Sequence, residues 1–221
     1  MARGKFIVLE GIDGCGKDTV AASITAHLPD LVDAAPWATS EPTEGPIGKF
    51  IRHLLSKSGA PPVALDALPM GLLFIADRLD HARLLEDALE AGCPVVCSRY
   101  IPSTLAYNAF GLGLEGMGRL LDLHGADPSR PVPPTPDLTL YLQVEASTAT
   151  RRLQIRGRAL DAMEQNFKSQ AMAQRYDTVM SFLAECRGWK VVTVDANRDL
   201  PTVAAACWTE VEKLHPPVTP R

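Results

Sequence analysis

The stretch GIDGCGKDTV, residues 11–20, decides how the rest of the chain is interpreted. The pattern is typical of a phosphate-binding loop, in which glycine-rich backbone N–H groups cradle a phosphate and a lysine contacts the outer phosphates. The matching residues are Gly11, Gly14, Gly16 and Lys17. Such a loop normally continues with a Ser or Thr that binds magnesium, but this chain has Asp18, whose carboxylate should repel a phosphate. The motif alone leaves two interpretations, a nucleotide site with an altered metal ligand or a glycine-rich turn with a solvated lysine.

The segments on either side of this loop predict a strand followed by a helix, which is the setting that a phosphate-binding loop requires. Short apolar, β-rich runs predict buried strands at residues 5–11, 94–98, 137–144 and 190–195, with a weaker strand near 35–40. Helical spacing is found at 17–28, 46–57, 66–91, 113–124, 147–158, 161–186 and 200–214. The alternation predicts an α/β fold with a five-stranded parallel sheet and helices on both faces.

Functional residue types follow the ends of three predicted strands. They are the segments Gly11 to Lys17 and Ser98 to Tyr100, and Asp195. Because ligands of such sheets bind beyond the carboxyl ends of the strands, we expect one cleft to collect these residues.

Composition favours one domain that acts on a small ligand. With 221 residues, 46% of them hydrophobic, the chain is expected to form a single domain over residues 1–221. The net charge of -4 provides no basic field for nucleic acid, and no apolar stretch has the roughly 18 residues of a membrane span. Five cysteines without zinc spacing and the lack of a signal-peptide pattern predict reduced thiols and a cytoplasmic protein. Cys97 is expected in the core, with a metal site shared with Cys93 as the alternative.

Six short blocks in order along the chain extend the argument beyond the first loop. They are FIVLEGIDGCGKDT, EPTEGPIGKFIR, LLFIADR, SRYIPSTLAYNAFG, PDLTLYLQV and RRLQIRGRALDAME. Together they resemble the thymidylate kinase family, which transfers the γ-phosphoryl group of ATP to dTMP. The resemblance implies a three-layer P-loop kinase fold, a short arginine-rich lid at about residues 151–166, dependence on ATP and Mg²⁺, and a homodimer.

The resemblance also implies three groups of site residues. The ATP-binding loop comprises Gly11, Gly14, Cys15, Gly16, Lys17, Asp18 and Thr19. The catalytic group comprises Lys17, Arg99, Arg156 and Arg158. The group that binds dTMP comprises Asp13, Glu41, Arg52, Phe74, Arg78, Arg99, Ser103, Thr104 and Tyr107. Within it, Glu41 is also expected to help arrange the metal, and Arg52 to reach the acceptor phosphate.

Two residues are expected to bind the base. Phe74 and Arg78 are four residues apart on a helical pattern, so both project from one face. By resemblance, Phe74 stacks on thymine and Arg78 donates to a base carbonyl. Taken alone, Phe74 fits core packing equally well.

Four further residues are expected around the sugar, base and phosphate. By resemblance, Asp13 holds the 3′-hydroxyl of the sugar, with an Asx-type turn as the alternative. Arg99 resembles the arginine that bridges the acceptor phosphate and the γ-phosphoryl group, with a surface ion pair as the alternative. Thr104 is expected to touch the base and Tyr107 to pack beneath the sugar, where its ring disfavours a 2′-hydroxyl. Local helix packing is the alternative for both.

The segment RRLQIRGR, residues 151–158, crowds four arginines together. Like charges at helical spacing repel one another, which favours a site where anions bind between them. By resemblance this is the lid over ATP, with Arg156 and Arg158 in catalysis and Arg151 and Arg152 partly on a solvated face. Asp161 and Glu164 match an acidic pair of the lid, although Ala162 stands where an arginine commonly follows.

Two departures from the family pattern belong together. Many members have Ser or Thr after the loop lysine and Asp before the Arg-Tyr pair, whereas this chain has Asp18 and Ser98. In phosphate-loop proteins these side chains face each other around Mg²⁺. We hypothesise that Asp18 and Ser98 form the metal site with carboxylate and hydroxyl exchanged. Independent drift, with Thr19 in the hydroxyl role, is the alternative, although adjacent helical residues point about 100° apart.

The sequence therefore predicts a dTMP kinase that works by direct in-line transfer, with dTMP and ATP as its partners and without nucleic acid or membrane partners. One alternative is a kinase for dUMP, a modified pyrimidine monophosphate or a deoxynucleoside. Another is a nucleotide-binding regulatory module with little turnover. The apolar helix around residues 72–85 is a candidate dimer face.

Overall fold

The computed structural model describes residues 2–56, 66–125, 132–155 and 169–215. Within these ranges five strands form one sheet, namely β1 (Phe6–Glu10), β2 (Trp37–Ser40), β3 (Val95–Ser98), β4 (Leu138–Gln143) and β5 (Val191–Asp195). The strand order is β2-β3-β1-β4-β5, and every neighbouring pair is parallel. The predicted α/β class with a five-stranded parallel sheet is confirmed.

Helices cover the sheet on both faces. They are α1 (Lys17–His27), α2 (Pro46–Leu55), α3 (Ala67–Glu90), α4 (Ile101–Thr104), α5 (Gly113–Asp122), α6 (Ala146–Ile155), α7 (Ser169–Arg187) and α8 (Leu200–Glu212). Helix α1 packs against α8, while α3 and α7 pack against the segment that follows α4. The predicted helical residues 156–158 and 161–168 lie outside the described ranges. No described helix combines the length and apolar character needed to cross a bilayer.

The burial of each strand explains how clearly the sequence predicted it. Every residue of β1 and β3 is buried, so both strands appear in the sequence as short runs of mostly apolar residues. Strand β2 lies at the edge of the sheet and alternates half-buried and exposed residues, which leaves only a weak apolar signal. Cys97 is fully buried in β3, as expected for a core position.

The segment between β3 and α5 is helical, which the sequence analysis did not predict. Helix α4 continues into a π-helical turn at Leu105–Ala109 and a 3₁₀ turn at Phe110–Leu112. A π turn is wider than an α-helical turn, so the apolar spacing does not follow the 3.6-residue period on which the prediction relied. The wide turn brings Thr104, Tyr107 and Asn108 to the same cavity at the carboxyl edge of the sheet.

Helix α3 packs against this π turn through a glycine, which leads to a stability prediction. A Cβ atom added at Gly71 would lie 2.9 Å from Cβ of Asn108, whereas one added at Gly118 of α5 would meet only the flexible end of Arg187. We expect Gly71→Ala to destabilise the protein by about 1–2 kcal/mol, because overpacking outweighs the gain in helix propensity. The matched Gly118→Ala should be neutral or stabilising. Urea denaturation of both variants tests this, and equal effects at the two positions would contradict the close packing.

Candidate functional site

The main cavity lies at the carboxyl ends of β1, β2 and β3 and has a volume of about 470 Å³. The predicted site residues that line it are Asp13, Lys17, Asp18, Glu41, Arg52, Phe74, Arg78, Ser98, Arg99, Ser103, Thr104 and Tyr107. Parallel strands end at a common edge, so residues that are far apart in the sequence converge there. Arg156, Arg158, Asp161 and Glu164 lie outside the described residues.

Glycines shape the loop between β1 and α1. Gly11 and Gly14 have φ angles of 146° and 86°, and Gly16 begins α1 with a φ of 99°. A Cβ atom at Gly14 would lie 2.4 Å from the carbonyl oxygen of Ala149, and one at Gly11 would lie 2.7 Å from that of Leu142. Only glycine permits this close approach. The loop therefore turns directly into α1, whose N-terminal N–H groups and dipole favour an anion.

Asp13 lies among cationic and hydroxyl groups within this loop. Its Oδ1 accepts a hydrogen bond from Lys17 Nζ at 3.1 Å and another from the guanidinium of Arg99. Its Oδ2 accepts from the Tyr107 hydroxyl at 3.2 Å. Lys17 is only 4% exposed, so its charge is held inside the cleft. One carboxylate thus offsets part of the repulsion between two cations where an anionic ligand would enter.

Glu10 is a site residue that the sequence analysis missed. It is fully buried at the end of β1, and its carboxylate accepts from the Tyr100 N–H at 2.6 Å and the Ser103 hydroxyl at 2.8 Å. The Tyr176 hydroxyl of α7 donates to it at 3.3 Å. Burial raises the pKa of the Glu10 carboxyl, although the nearby Arg99 charge and these hydrogen bonds oppose the rise. A glutamate within the apolar run FIVLEG was a signal that could have identified it.

Arg99 lies in the loop after β3, which the hydrogen bonds of Glu10 to Tyr100 and Ser103 hold in place. It is the non-glycine residue with a positive φ, 67°, among the described residues. Its backbone N–H donates to the Leu9 carbonyl at 3.0 Å, and its Nη1 donates to Ser103 and Tyr176, each at 3.2 Å. A left-handed conformation is costly for an arginine and persists where the surroundings enforce it, which is typical of functional positions.

The two exchanged residues are in direct contact. The Ser98 hydroxyl at the end of β3 donates to Asp18 Oδ1 at 2.6 Å. Partial desolvation opposes ionisation, but the Lys17 charge and the Ser98 hydrogen bond lower the pKa of the Asp18 carboxyl below its ordinary value. Asp18 is therefore an anionic oxygen donor at neutral pH beside the phosphate-binding loop.

Arg78 forms the opposite, buried end of the cleft. It is 1% exposed, and its Nε donates to Glu41 Oε2 at 2.7 Å. Its Nη2 donates to the Thr104 hydroxyl at 3.0 Å, and its Nη1 donates to His124 Nε2 at 3.0 Å. Phe74, one helical turn earlier on α3, is half-buried and lines the same cavity. The sequence offered no signal for the contact with His124.

The loop after β2 joins this end of the cleft to α2. Glu41 Oε1 also lies 3.1 Å from His81 Nδ1. The buried Glu41 carboxylate therefore contacts both Arg78 and His81. Arg52 donates to the carbonyl oxygens of Pro42 and Thr43 at 2.6 and 2.7 Å, and its side chain is 36% exposed. Arg52 thus supports the loop while part of its guanidinium faces the cleft.

Asp77 holds the same loop from α3 and was not anticipated. It accepts from the Thr43 N–H and from the Thr43 hydroxyl, both at 2.7 Å. These contacts stabilise the loop that presents Glu41 to Arg78.

A second cavity of about 280 Å³ lies on the other side of the phosphate-binding loop. Its lining residues are Cys15, Gly16, Arg152, Ile155, Asp199, Leu200 and Val203. Arg152 donates to the carbonyl oxygens of Ala196 and Arg198, each at 2.8 Å. Arg152 is half-buried against this loop, whereas Arg151 is exposed.

Known proteins are similar to this chain over most of its length. The sequence model of the family described as "Thymidylate kinase" matches residues 9–206. A "Thymidylate kinase" of Alkalilimnicola ehrlichii is 36% identical, with 93% of this chain and 91% of the relative covered. A "Probable thymidylate kinase" of Pyrobaculum aerophilum is 34% identical (90% and 92% covered), and a "Thymidylate kinase" of Magnetococcus marinus is 33% identical (95% and 96% covered).

The buried His124 predicts a pH dependence of stability. Burial and the Arg78 charge lower its pKa to about 4 in the folded protein, whereas an unfolded histidine has a pKa of about 6.5. The stabilisation from the neutral ring is present above the unfolded pKa and is lost as the pH falls toward the folded one. Relative to His124→Gln, the wild type should lose about 2 kcal/mol of unfolding free energy between pH 7 and pH 5. Urea denaturation at both pH values measures this, and an equal loss in both proteins would contradict it.

Proposed function

The chain belongs to the thymidylate kinase family, and we propose that its main cleft binds dTMP with the base toward Arg78 and the phosphate toward Arg99 and Lys17. As a dTMP kinase it is a phosphotransferase whose phosphoryl donor is ATP. One observation carries the proposed binding mode. The predicted acceptor residues and the phosphate-binding loop line a single cavity, with a buried guanidinium at one end and two cations at the other.

The base end suits a pyrimidine. Phe74 offers a ring face beside Arg78, and Thr104 lies against the same guanidinium. A ring face with a directional N–H donor recognises a planar heterocycle that has a carbonyl group. This combination supports stacking of the base on Phe74 and donation from Arg78.

The middle of the cleft suits a deoxyribose. The Asp13 carboxylate and the Tyr107 ring meet there, linked by their hydrogen bond. We assign Asp13 to the 3′-hydroxyl of the sugar, because an ionised carboxylate is a strong acceptor for a hydroxyl donor. Tyr107 packs beneath the sugar and leaves little room for a 2′-hydroxyl group.

The cationic end suits two phosphates that must approach each other. Lys17 and Arg99 both pair with Asp13, and both can turn donors to phosphate oxygens. An acceptor-phosphate oxygen then attacks the γ-phosphorus in line, the bond from that phosphorus to the β,γ-bridging oxygen breaks and ADP leaves, while these cations offset the charge of the transition state. Arg52 contributes to the acceptor phosphate from the loop after β2.

The donor side lies across the phosphate-binding loop. The loop N–H groups and α1 bind the ATP phosphates, and the second cavity beside Cys15 and Arg152 is assigned to the rest of ATP. Arg156 and Arg158 remain proposals for the lid, since they lie outside the described residues.

The residues at the loop fit a magnesium ion. Mg²⁺ is commonly held by one or two carboxylates together with substrate phosphates and water, and the described residues hold no cluster of three His, Cys, Asp or Glu ligands. Asp18, ionised and hydrogen-bonded to Ser98, supplies a hard oxygen at the required place. When bound there, Mg²⁺ would offset part of the phosphate charge.

Other expectations stay predictions. They are the single domain over residues 1–221, the homodimer, the cytoplasmic location and the role of Glu41 near the metal.

An acceptor panel tests the proposed function. ADP release is measured with dTMP, dUMP, dCMP, thymidine and the ribose analogue of dTMP. We expect the highest kcat/KM for dTMP because the chain belongs to the thymidylate kinase family, and a low value for the ribose analogue because Tyr107 leaves little room for a 2′-hydroxyl group. A preference for dUMP or thymidine would favour the alternative kinases. If none of the acceptors caused ADP release, a regulatory nucleotide-binding module would be favoured.

Exchange variants test the metal site. Asp18→Ser and Ser98→Asp should each lower kcat by about 10²-fold, because each removes half of the carboxylate–hydroxyl pair. The double variant should recover much of the activity, and the Mg²⁺ dependence of ADP binding should follow the same order by calorimetry. A double variant no better than the worse single variant would refute the exchange. Thr19→Val is the control, and a loss there instead would favour Thr19 as the hydroxyl ligand.

A further inference from the structure

The guanidinium of Arg78 uses most of its donors within the protein. Nε donates to Glu41, Nη2 donates to Thr104 and lies 2.6 Å from Glu41 Oε2, and Nη1 donates to His124. An arginine has five N–H groups. Among the described residues, the second N–H of Nη1 is left for a ligand. The other N–H of this nitrogen is the one that donates to His124.

The contact with His124 determines the tautomer of that histidine. Its Nε2 faces an arginine, which can only donate, so Nε2 is the acceptor. Its Nδ1 lies 2.9 Å from the carbonyl oxygen of Leu121, which can only accept, so Nδ1 bears the hydrogen. The ring is therefore neutral, with each nitrogen satisfied.

The position of His124 argues against a direct chemical role. It lies in the short 3₁₀ turn Leu123–Gly125 after α5, is 4% exposed and does not line the main cavity. Its contact joins this turn to α3, 46 residues away along the chain. A buried histidine in this place is either a packing residue or a support for Arg78.

We propose that His124 is a positioning residue for base recognition, which holds the Nη1 group of Arg78 so that its remaining N–H meets a carbonyl of the pyrimidine. The inference rests on the proposed binding mode of dTMP. Glu41 and Thr104 hold the Nε and Nη2 side of the guanidinium, and His124 holds the third nitrogen, so the planar group cannot rotate away. Loss of His124 therefore weakens dTMP binding without changing the phosphate end of the cleft.

Substitutions at His124 separate this role from simple packing. His124→Leu removes the acceptor and His124→Gln retains one near the position of Nε2. We expect His124→Leu to raise KM for dTMP by about tenfold, with kcat within about threefold of wild type, because a hydrogen bond to a charged group is lost. His124→Gln should stay within about threefold of wild type in both constants. Direct titration of dTMP by calorimetry, without ATP, should show the same order of affinity.

Thio-substituted nucleotides test the contact with the base. A thiocarbonyl accepts hydrogen bonds more weakly than a carbonyl, so wild type should bind either 2-thio-dTMP or 4-thio-dTMP less tightly than dTMP. The thio penalty is the Kd of the thio nucleotide divided by the Kd of dTMP. In His124→Leu this ratio should fall to less than about half of its wild-type value, since the donor is no longer aligned. A packing role would weaken the binding of all three nucleotides by one factor.

His215→Leu is the control for loss of a histidine. His215 lies near Lys5 and Asp137, before the starts of β1 and β4 and thus at the opposite edge of the sheet. It should leave the KM for dTMP unchanged. If His124→Leu does not fold, His124→Asn replaces it, since Asn retains a donor near the position of Nδ1 and lacks the acceptor at Nε2. A raised KM for dTMP with a reduced thio penalty in this variant would support the proposal, and an unchanged KM and penalty would overturn it.

These measurements distinguish failure of the proposed function from failure of the proposed role of His124. If wild type does not bind or phosphorylate dTMP, the proposed function fails. If wild type does so and His124→Leu folds with an unchanged KM and thio penalty, only the role of His124 fails. A fall in kcat alone would likewise overturn it.

Discussion

The buried carboxylate of Glu10 is the contact on which the site depends. It ends the central strand and accepts hydrogen bonds from the Tyr100 N–H, the Ser103 hydroxyl and the Tyr176 hydroxyl. These donors come from the loop after β3, from α4 and from α7, so one side chain ties three parts of the chain to β1. A buried carboxylate is tolerated only when its oxygens accept hydrogen bonds. Here the groups that donate to Glu10 fix the conformation of the loop that carries Arg99.

Charge in the cleft is balanced by carboxylates at each end. Asp13 lies between Lys17 and Arg99, and Glu41 neutralises Arg78. Without these carboxylates the neighbouring cations would repel one another. The two ends differ in burial, because Arg78 and Glu41 are almost inaccessible while Asp13 is partly exposed. The Asp13 end of the cleft is therefore accessible to solvent and ligands, whereas the Arg78–Glu41 pair is enclosed by protein.

Parts of this arrangement were accessible from the sequence. The glycine pattern at residues 11–16 predicted the loop, and two departures at positions 18 and 98 predicted a contact that the structure contains at 2.6 Å. The helical turns at residues 101–112 were missed because a π turn breaks the period on which helix prediction relies. The half-exposed strand β2 was only weakly predicted, since an edge strand needs few apolar residues.

The sequence by itself determined the parallel α/β sheet, the phosphate-binding loop and the ends of β1 and β3 as places where functional residues meet. These features follow from local properties, namely apolar period, glycine backbone freedom and the order of the elements. Asp195, at the end of β5, was expected in the same cleft but does not line it and contacts Asn197 and Arg198 instead. The tertiary structure alone decided which side chains became partners, such as Glu10 with Tyr100, Asp77 with Thr43 and His124 with Arg78. Each pairing joins residues distant in the chain and depends on satisfying buried donors and acceptors, which becomes defined only when the elements pack together.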